Sequence, residues 1–235
     1  MLSLNGWLDG ITALLVVVFC VVFSLFFYFR ARKINTPLLK KGAGMGLFVG
    51  LLWLGPTTDF LFVLFTEKHI SDFYDITLYG LLSYIWVGPA FLCGVYIGTQ
   101  LLVPDKKRSL FAVFFPLAII FEIILIIDVE NTFSFTLNEG DLIDSQFIYF
   151  SPAFFFIATF LVFILLFNGF GSLLKVFQST GDIRKRFSYL SYAFIIFIVV
   201  AVFDAFIDVS TAGFLFVIRL LMISCAWTLY LGLKS

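Results

Sequence analysis

Long apolar runs separated by short charged clusters set the pattern of this sequence. Runs at about 9–30, 44–66, 76–102, 109–128, 146–175, 187–208 and 212–233 each reach the roughly 20 residues that a helix needs to cross a bilayer at 1.5 Å per residue. Seven spans of about 21 residues take up most of the 235 positions and leave only short loops. The pattern predicts an all-α fold, a single seven-helix transmembrane domain over residues 1–235 with no room for an appended soluble module. Met1 to Asp9 carries no Lys or Arg. A cleavable signal peptide opens on basic residues, so the first run is expected to stay in place as a signal-anchor. The longest polar connection, Val129 to Ser145, contains the alternating stretch Thr132-Phe133-Ser134-Phe135-Thr136-Leu137 and the turn-forming Asn138-Glu139-Gly140-Asp141. It reads either as a short β-hairpin over the outer mouth or as an irregular loop whose acids mark only the exclusion of basic residues.

Composition agrees with the pattern. The chain is 62% hydrophobic and 13% charged, and its mean hydropathy is +1.09. A soluble domain has about 45–50% apolar and about 25% charged residues, which excludes a cytosolic enzyme, a disordered chain and a secreted disulfide scaffold. Fifteen basic residues balance 15 acidic ones, so no bulk field draws the chain to nucleic acid. Cys20, Cys93 and Cys225 all lie inside apolar runs and report nothing on redox compartment.

The placement of the charges is more informative. Arg30, Arg32, Lys33, Lys40 and Lys41 follow the first run, Lys106, Lys107 and Arg108 the third, and Lys175, Arg184, Lys185 and Arg186 the fifth, with Lys234 near the chain end. The alternate loops hold Lys68 beside Glu67, Asp72 and Asp75, and then Asp128, Glu130, Glu139, Asp141 and Asp144. Basic residues collect on the cytoplasmic side of membrane proteins. The N-terminus is therefore expected outside and the C-terminus in the cytoplasm of a multi-pass cell-membrane protein.

Ionisable side chains within a span cost of order 2.5–3.5 kcal/mol on insertion scales and mark a site or a pairing. Asp59, Glu122, Asp204 and Arg219 fall within runs, and Asp208 follows Asp204 one helical turn on. Measured from each span's midpoint, Asp59, Glu122 and Arg219 lie about 5–6 Å outward and Asp204 about 9 Å. This common level points to one polar cluster in the outer half, for which Tyr79, Tyr84 and Trp86 are further candidates, with Thr57, Thr58, Ser83 and Ser151 at similar depth. Arg219 is expected to pair with Asp204 or Asp208 across a short outer loop, with Glu122 or Asp59 as a further shared partner. One arginine clamping two helices is the plainer structural alternative. Excess carboxylates would bind a cation, hold protons or hydrogen-bond to hydroxyls.

Pro56, Pro89, Pro116 and Pro152 interrupt the runs and are expected to kink them; Trp53-Leu54-Gly55-Pro56 echoes Trp86-Val87-Gly88-Pro89. Asn168-Gly169-Phe170-Gly171 reads as a bend or a close-packing site. The single histidine, His69, excludes a bis-histidine haem, and no metal site or other cofactor is expected. Neither GxSxG, HExxH nor a phosphate loop occurs, so the chain reads as a non-enzyme.

Microbial rhodopsins attach retinal through a lysine in the seventh span. Residues 213–233 contain Arg219 and no lysine, so this is not a retinal-binding rhodopsin. Where G-protein-coupled receptors carry DRY-like and NPxxY-like motifs the chain reads Gly98-Thr99-Gln100-Leu101 and Trp227-Thr228-Leu229-Tyr230, and the Pro-Gln signature of SWEET-type transporters is missing. In its overall organisation, and in the basic linker Gly181-Asp182-Ile183-Arg184-Lys185-Arg186 that leads into the sixth run, the chain resembles the seven-span sensor region of prokaryotic histidine kinases. The resemblance implies a receptor or sensor. It would bind a small ligand or cation from outside and pass a helix rearrangement to a cytoplasmic or membrane protein partner. A secondary transporter or proton/cation pathway through Asp59, Glu122 and Asp204 is the alternative, and a non-catalytic accessory membrane subunit the third.

Overall fold

The computed structural model describes residues 2–206 and 212–234, with the backbone alone at 204–206, 212–213 and 215. Helix α1 spans Leu4–Lys33. Its Ser3 cap accepts the Gly6 N–H, and Arg30, Arg32 and Lys33 oppose the dipole at its far end. Asn35, at φ 51°, turns the chain, and Pro37 opens α2 (Pro37–Leu51) with the fixed φ that suits a first helical position.

Helix α3 (Leu54–Thr66) continues α2 after a 46° bend. Pro56 has no N–H for the carbonyl four residues earlier, so the ladder opens at Leu52 and Trp53, whose N–H groups bond three residues back. The Thr57 N–H then restarts the ladder on the Trp53 carbonyl. Helices α4 (Thr77–Tyr84) and α5 (Val87–Leu102) repeat this arrangement, with the Ala90 N–H on the Trp86 carbonyl just past Pro89. The two Trp-x-Gly-Pro stretches are thus the same local device. The other two prolines depart from the expected kinks. Pro116 lies inside α6 (Lys107–Ile127), which runs through it, and Pro152 opens the later helix Pro152–Phe163 at a first helical position where no ladder exists to break.

After α6 a single turn, α7 (Val129–Thr132), leads into a two-stranded antiparallel hairpin, β1 (Phe133–Thr136) and β2 (Asp144–Phe147), with Phe133 opposite Phe147. Alternation decides its faces, Phe133 and Phe147 being buried while Ser134 and Thr136 stay exposed. The fifth run accordingly starts later than the apolar pattern suggested. Its first residues are strand β2, and α8 covers Pro152–Phe163. A π-helical turn at Ile164–Phe170 follows, then α9 (Gly171–Gln178), α10 (Gly181–Phe206) and α11 (Ala212–Leu233).

Among the described residues six stretches are long and apolar enough to cross a membrane, and the bent pair α2–α3 makes a seventh when counted as one. They pack as a closed ring in chain order, α1 against α2 and α3, α2 against α5, α5 against α6, α6 against α8, the π-turn and α9 against α10, α10 against α11, and α11 back on α1. Apolar side chains fill the interior, with Phe91 stacked on Phe160 at 4.0 Å. The basic loops share one end, where Lys41 and Lys107 both lie over the Tyr96 ring. At the opposite end Ser3 meets Asp141 and the hairpin sits among the acidic loops.

Candidate functional site

A cavity of about 200 Å³ opens within the acidic half of the ring. The hairpin and its connecting loop form its roof through Thr136, Asn138, Asp141, Asp144 and Ser145. Asn5, Gly6 and Asp9 of α1 and Arg219 of α11 form one wall, and Tyr79, Ser83 and Tyr84 of α4 another. Below these the lining turns apolar, with Met45, Phe91, Phe160, Phe197 and Met222. An apolar chamber with a few convergent polar groups is the usual make-up of a ligand site.

The roof is fastened by cross-element bonds. Ser3 donates through its hydroxyl to Asp141 at 2.5 Å and through its backbone N–H to the Gly140 carbonyl at 2.6 Å. Tyr84 stacks on Phe133 at 4.8 Å, meets Phe147 edge-on at 4.6 Å, and donates its hydroxyl to the Ser145 carbonyl. A glycine at position 6 is required because a Cβ there would press on the Gly140 carbonyl at 2.7 Å.

The charged wall pairs Arg219 Nη2 with Asp9 Oδ1 at 2.9 Å, the arginine side chain being 6% and the aspartate 23% exposed. Both helices start at the acidic end. Asp9 lies five residues into α1 and Arg219 seven into α11, so their heights differ by about 3 Å. The Arg219 guanidinium also lies over the Trp53 ring, 5.2 Å from its centre. Asp9 is thus a partner that the sequence reading did not anticipate. The expected partners, Asp208 and the side chain of Asp204, lie outside the described residues.

Three other candidates do not line this cavity. Asp59, fully buried, accepts the Ile70 N–H at 2.9 Å on one oxygen, and on the other the Ile143 N–H at 3.0 Å and His69 Nδ1 at 3.0 Å. It ties α3 to two loops at the acidic end, and His69 is a structural partner to it rather than an isolated loop residue. Glu122 accepts the Gly88 N–H at 3.0 Å, capping the start of α5 from α6. Trp86 donates to the Leu82 carbonyl and stacks on Phe48. Asp59 and Glu122 each serve an unsatisfied backbone N–H beside a break or loop and do not line the cavity with Arg219. Tyr79, Tyr84 and Arg219 do come together in the lining. Of the hydroxyls at similar depth, Ser83 lines the cavity, Ser151 caps α8, and Thr58 bonds back to the Leu54 carbonyl.

Among the described residues no group of three His, Cys, Asp or Glu side chains is placed to hold a metal ion. Asp9, Trp53, Asp141 and Asp144 are among the lining residues that sequence reasoning missed. Asp9 carried a usable signal, an acid one or two turns inside the first helix at the depth of Arg219, obscured by its place at the edge of the apolar run. No family model, curated protein or solved structure matches this chain.

Proposed function

We propose that this chain is a seven-span membrane protein of receptor or sensor type, with the N-terminus outside and the C-terminus in the cytoplasm. A small ligand enters the cavity from the outer, acidic end, and its binding alters how α1, α4 and α11 pack beneath the hairpin. A cytoplasmic or membrane protein partner reads that change at the basic end. The observation that carries the reading is the cavity itself, which α1, α4, α11 and the hairpin wall together, each with polar side chains. A structural clamp of Arg219 and Asp9 alone would leave no such chamber. The charge asymmetry supports the orientation, since thirteen of the 15 basic residues gather at one end.

A transport pathway through Asp59, Glu122 and Asp204 finds less support. Both Asp59 oxygens are taken by N–H donors, and Glu122 caps α5 away from the cavity lining.

Two measurements test the proposal together. A cysteine placed at Ser134 is expected to react with an impermeant thiol reagent only from outside, and one at Ser179 only from inside. A high-resolution map of the protein purified from its membrane is expected to show non-protein density beneath the hairpin. Labelling of both positions from one side, or cation flux through the protein in proteoliposomes, would overturn it.

A further inference from the structure

We propose that the cavity takes a monovalent organic cation, a protonated or quaternary amine on a short apolar body; this rests on the reading that the cavity is a ligand site. Charge comes first. Among the described lining residues the carboxylates are Asp9, Asp141 and Asp144, against the single guanidinium of Arg219, which already pairs with Asp9. Asp141 and Asp144 lie on the roof at the mouth, where low-dielectric walls focus their field toward an entering cation. An anion would have to pass these carboxylates and would then compete with Asp9 for the one guanidinium of the described lining.

The walls favour the same class. Trp53, Tyr79 and Tyr84 line the chamber, and aromatic faces attract ammonium groups once water is excluded. One cation, the Arg219 guanidinium, already rests over Trp53. The chamber is also too short for a long tail. Met45, Phe197 and Met222 form its floor and separate it from an apolar void of about 30 Å³ beneath. A metal ion is the wrong cation, because among the described residues no three ligating side chains converge.

The test uses three probes of one shape, 2-phenoxyethylammonium, phenoxyacetate and 2-phenoxyethanol, added to the full chain in lipid nanodiscs at pH 7. The ammonium is expected to raise the melting temperature saturably, and the other two to leave it unchanged. Asp141→Asn combined with Asp144→Asn is expected to weaken the apparent Kd of the ammonium about tenfold. Ala90→Phe, which fills the chamber, is expected to abolish the response. Stabilisation by phenoxyacetate or phenoxyethanol that Ala90→Phe removes would overturn the cation while keeping the cavity as a ligand site. No response to any of the three probes would overturn both.

Discussion

The two ends of the bundle are held together by different chemistry. At the acidic end the links between elements are polar and directional: Arg219 to Asp9, Asp59 to the backbone of Ile70 and Ile143, Ser3 to Asp141, Tyr84 to the Ser145 carbonyl and Glu122 to Gly88. Toward the basic end glycines bring helices into contact. A Cβ on Gly42 would press on Leu233, on Gly50 on Cys20, on Gly171 on Leu102 and on Gly232 on Leu190. Close approach through small residues is the ordinary packing of membrane helices, where lipid supplies no hydrophobic drive between them. At the acidic end some glycines admit rings, Gly10 beside Phe60 and Gly80 beside Phe133, and others make room for polar groups, Gly55 beside Ser83 and Gly88 beside Glu122. The contrast teaches why the cavity lies where it does. Directional bonds can brace walls at a distance, whereas van der Waals packing must close the gap between them.

Breaking the braces should have the largest effects. Arg219→Ala leaves the half-buried Asp9 without its cation and is expected to lower stability by about 3 kcal/mol. Adding Asp9→Asn is expected to restore part of that loss, and simple addition of the two effects in thermal melts would show that the residues are uncoupled. Asp59→Asn comes next. The amide cannot accept all three N–H donors, and hydrogen bonds to a charged group contribute about 1.5–3 kcal/mol each. Hydrogen exchange at Ile70 and Ile143 should then accelerate while the basic end stays protected; uniform acceleration would deny Asp59 its local role.

At the packed end, Gly50→Ala forces a methyl onto Cys20 and is expected to cost about 1–3 kcal/mol. The paired change Cys20→Gly should recover it, and failure to recover would mean that this contact is not what closes α1 on α2. The smallest effect belongs to Asp75, whose carboxylate accepts the Thr77 N–H at 2.9 Å at the start of α4 and is held below the usual carboxylate range by that bond. A depressed carboxyl stabilises the fold above its unfolded value and loses that effect as pH falls through the folded one. The melting-temperature gap between wild type and Asp75→Asn should therefore hold from pH 7 down to about 4 and close below it.

Much of this contrast was legible in the sequence. Apolar runs of bilayer length located the spans, and the repeated Trp-x-Gly-Pro stretch marked both helix breaks, because a missing N–H is a local property. The start of α8 was misplaced because Phe147-Ile148-Tyr149-Phe150 is as apolar as the helix behind it, and hydropathy does not separate a buried strand end from a span. The hairpin was visible as one of two readings, and closure over Tyr84 decided it. Arg219 was assigned to the neighbouring span because that contact is local, whereas Asp9 reaches it only when the ring closes and α1 meets α11. The glycines at 42, 46 and 50, spaced by four, were a signal of close packing that the reading passed over in favour of Asn168-Gly169. Asn168 does pack closely, donating to the Gly94 carbonyl at 2.8 Å, but from within a π-turn that composition does not announce.

The proposed opening of the cavity toward the outside can be tested directly at Ala201, which lines it on α10. Ala201→Cys, with Cys20, Cys93 and Cys225 replaced by alanine, would be treated on intact cells with impermeant methanethiosulfonates of either charge. Reaction with the cationic reagent from outside, faster than with the anionic one, is the predicted result. No reaction from outside, or reaction only when the reagent reaches the cytoplasmic face, would contradict it.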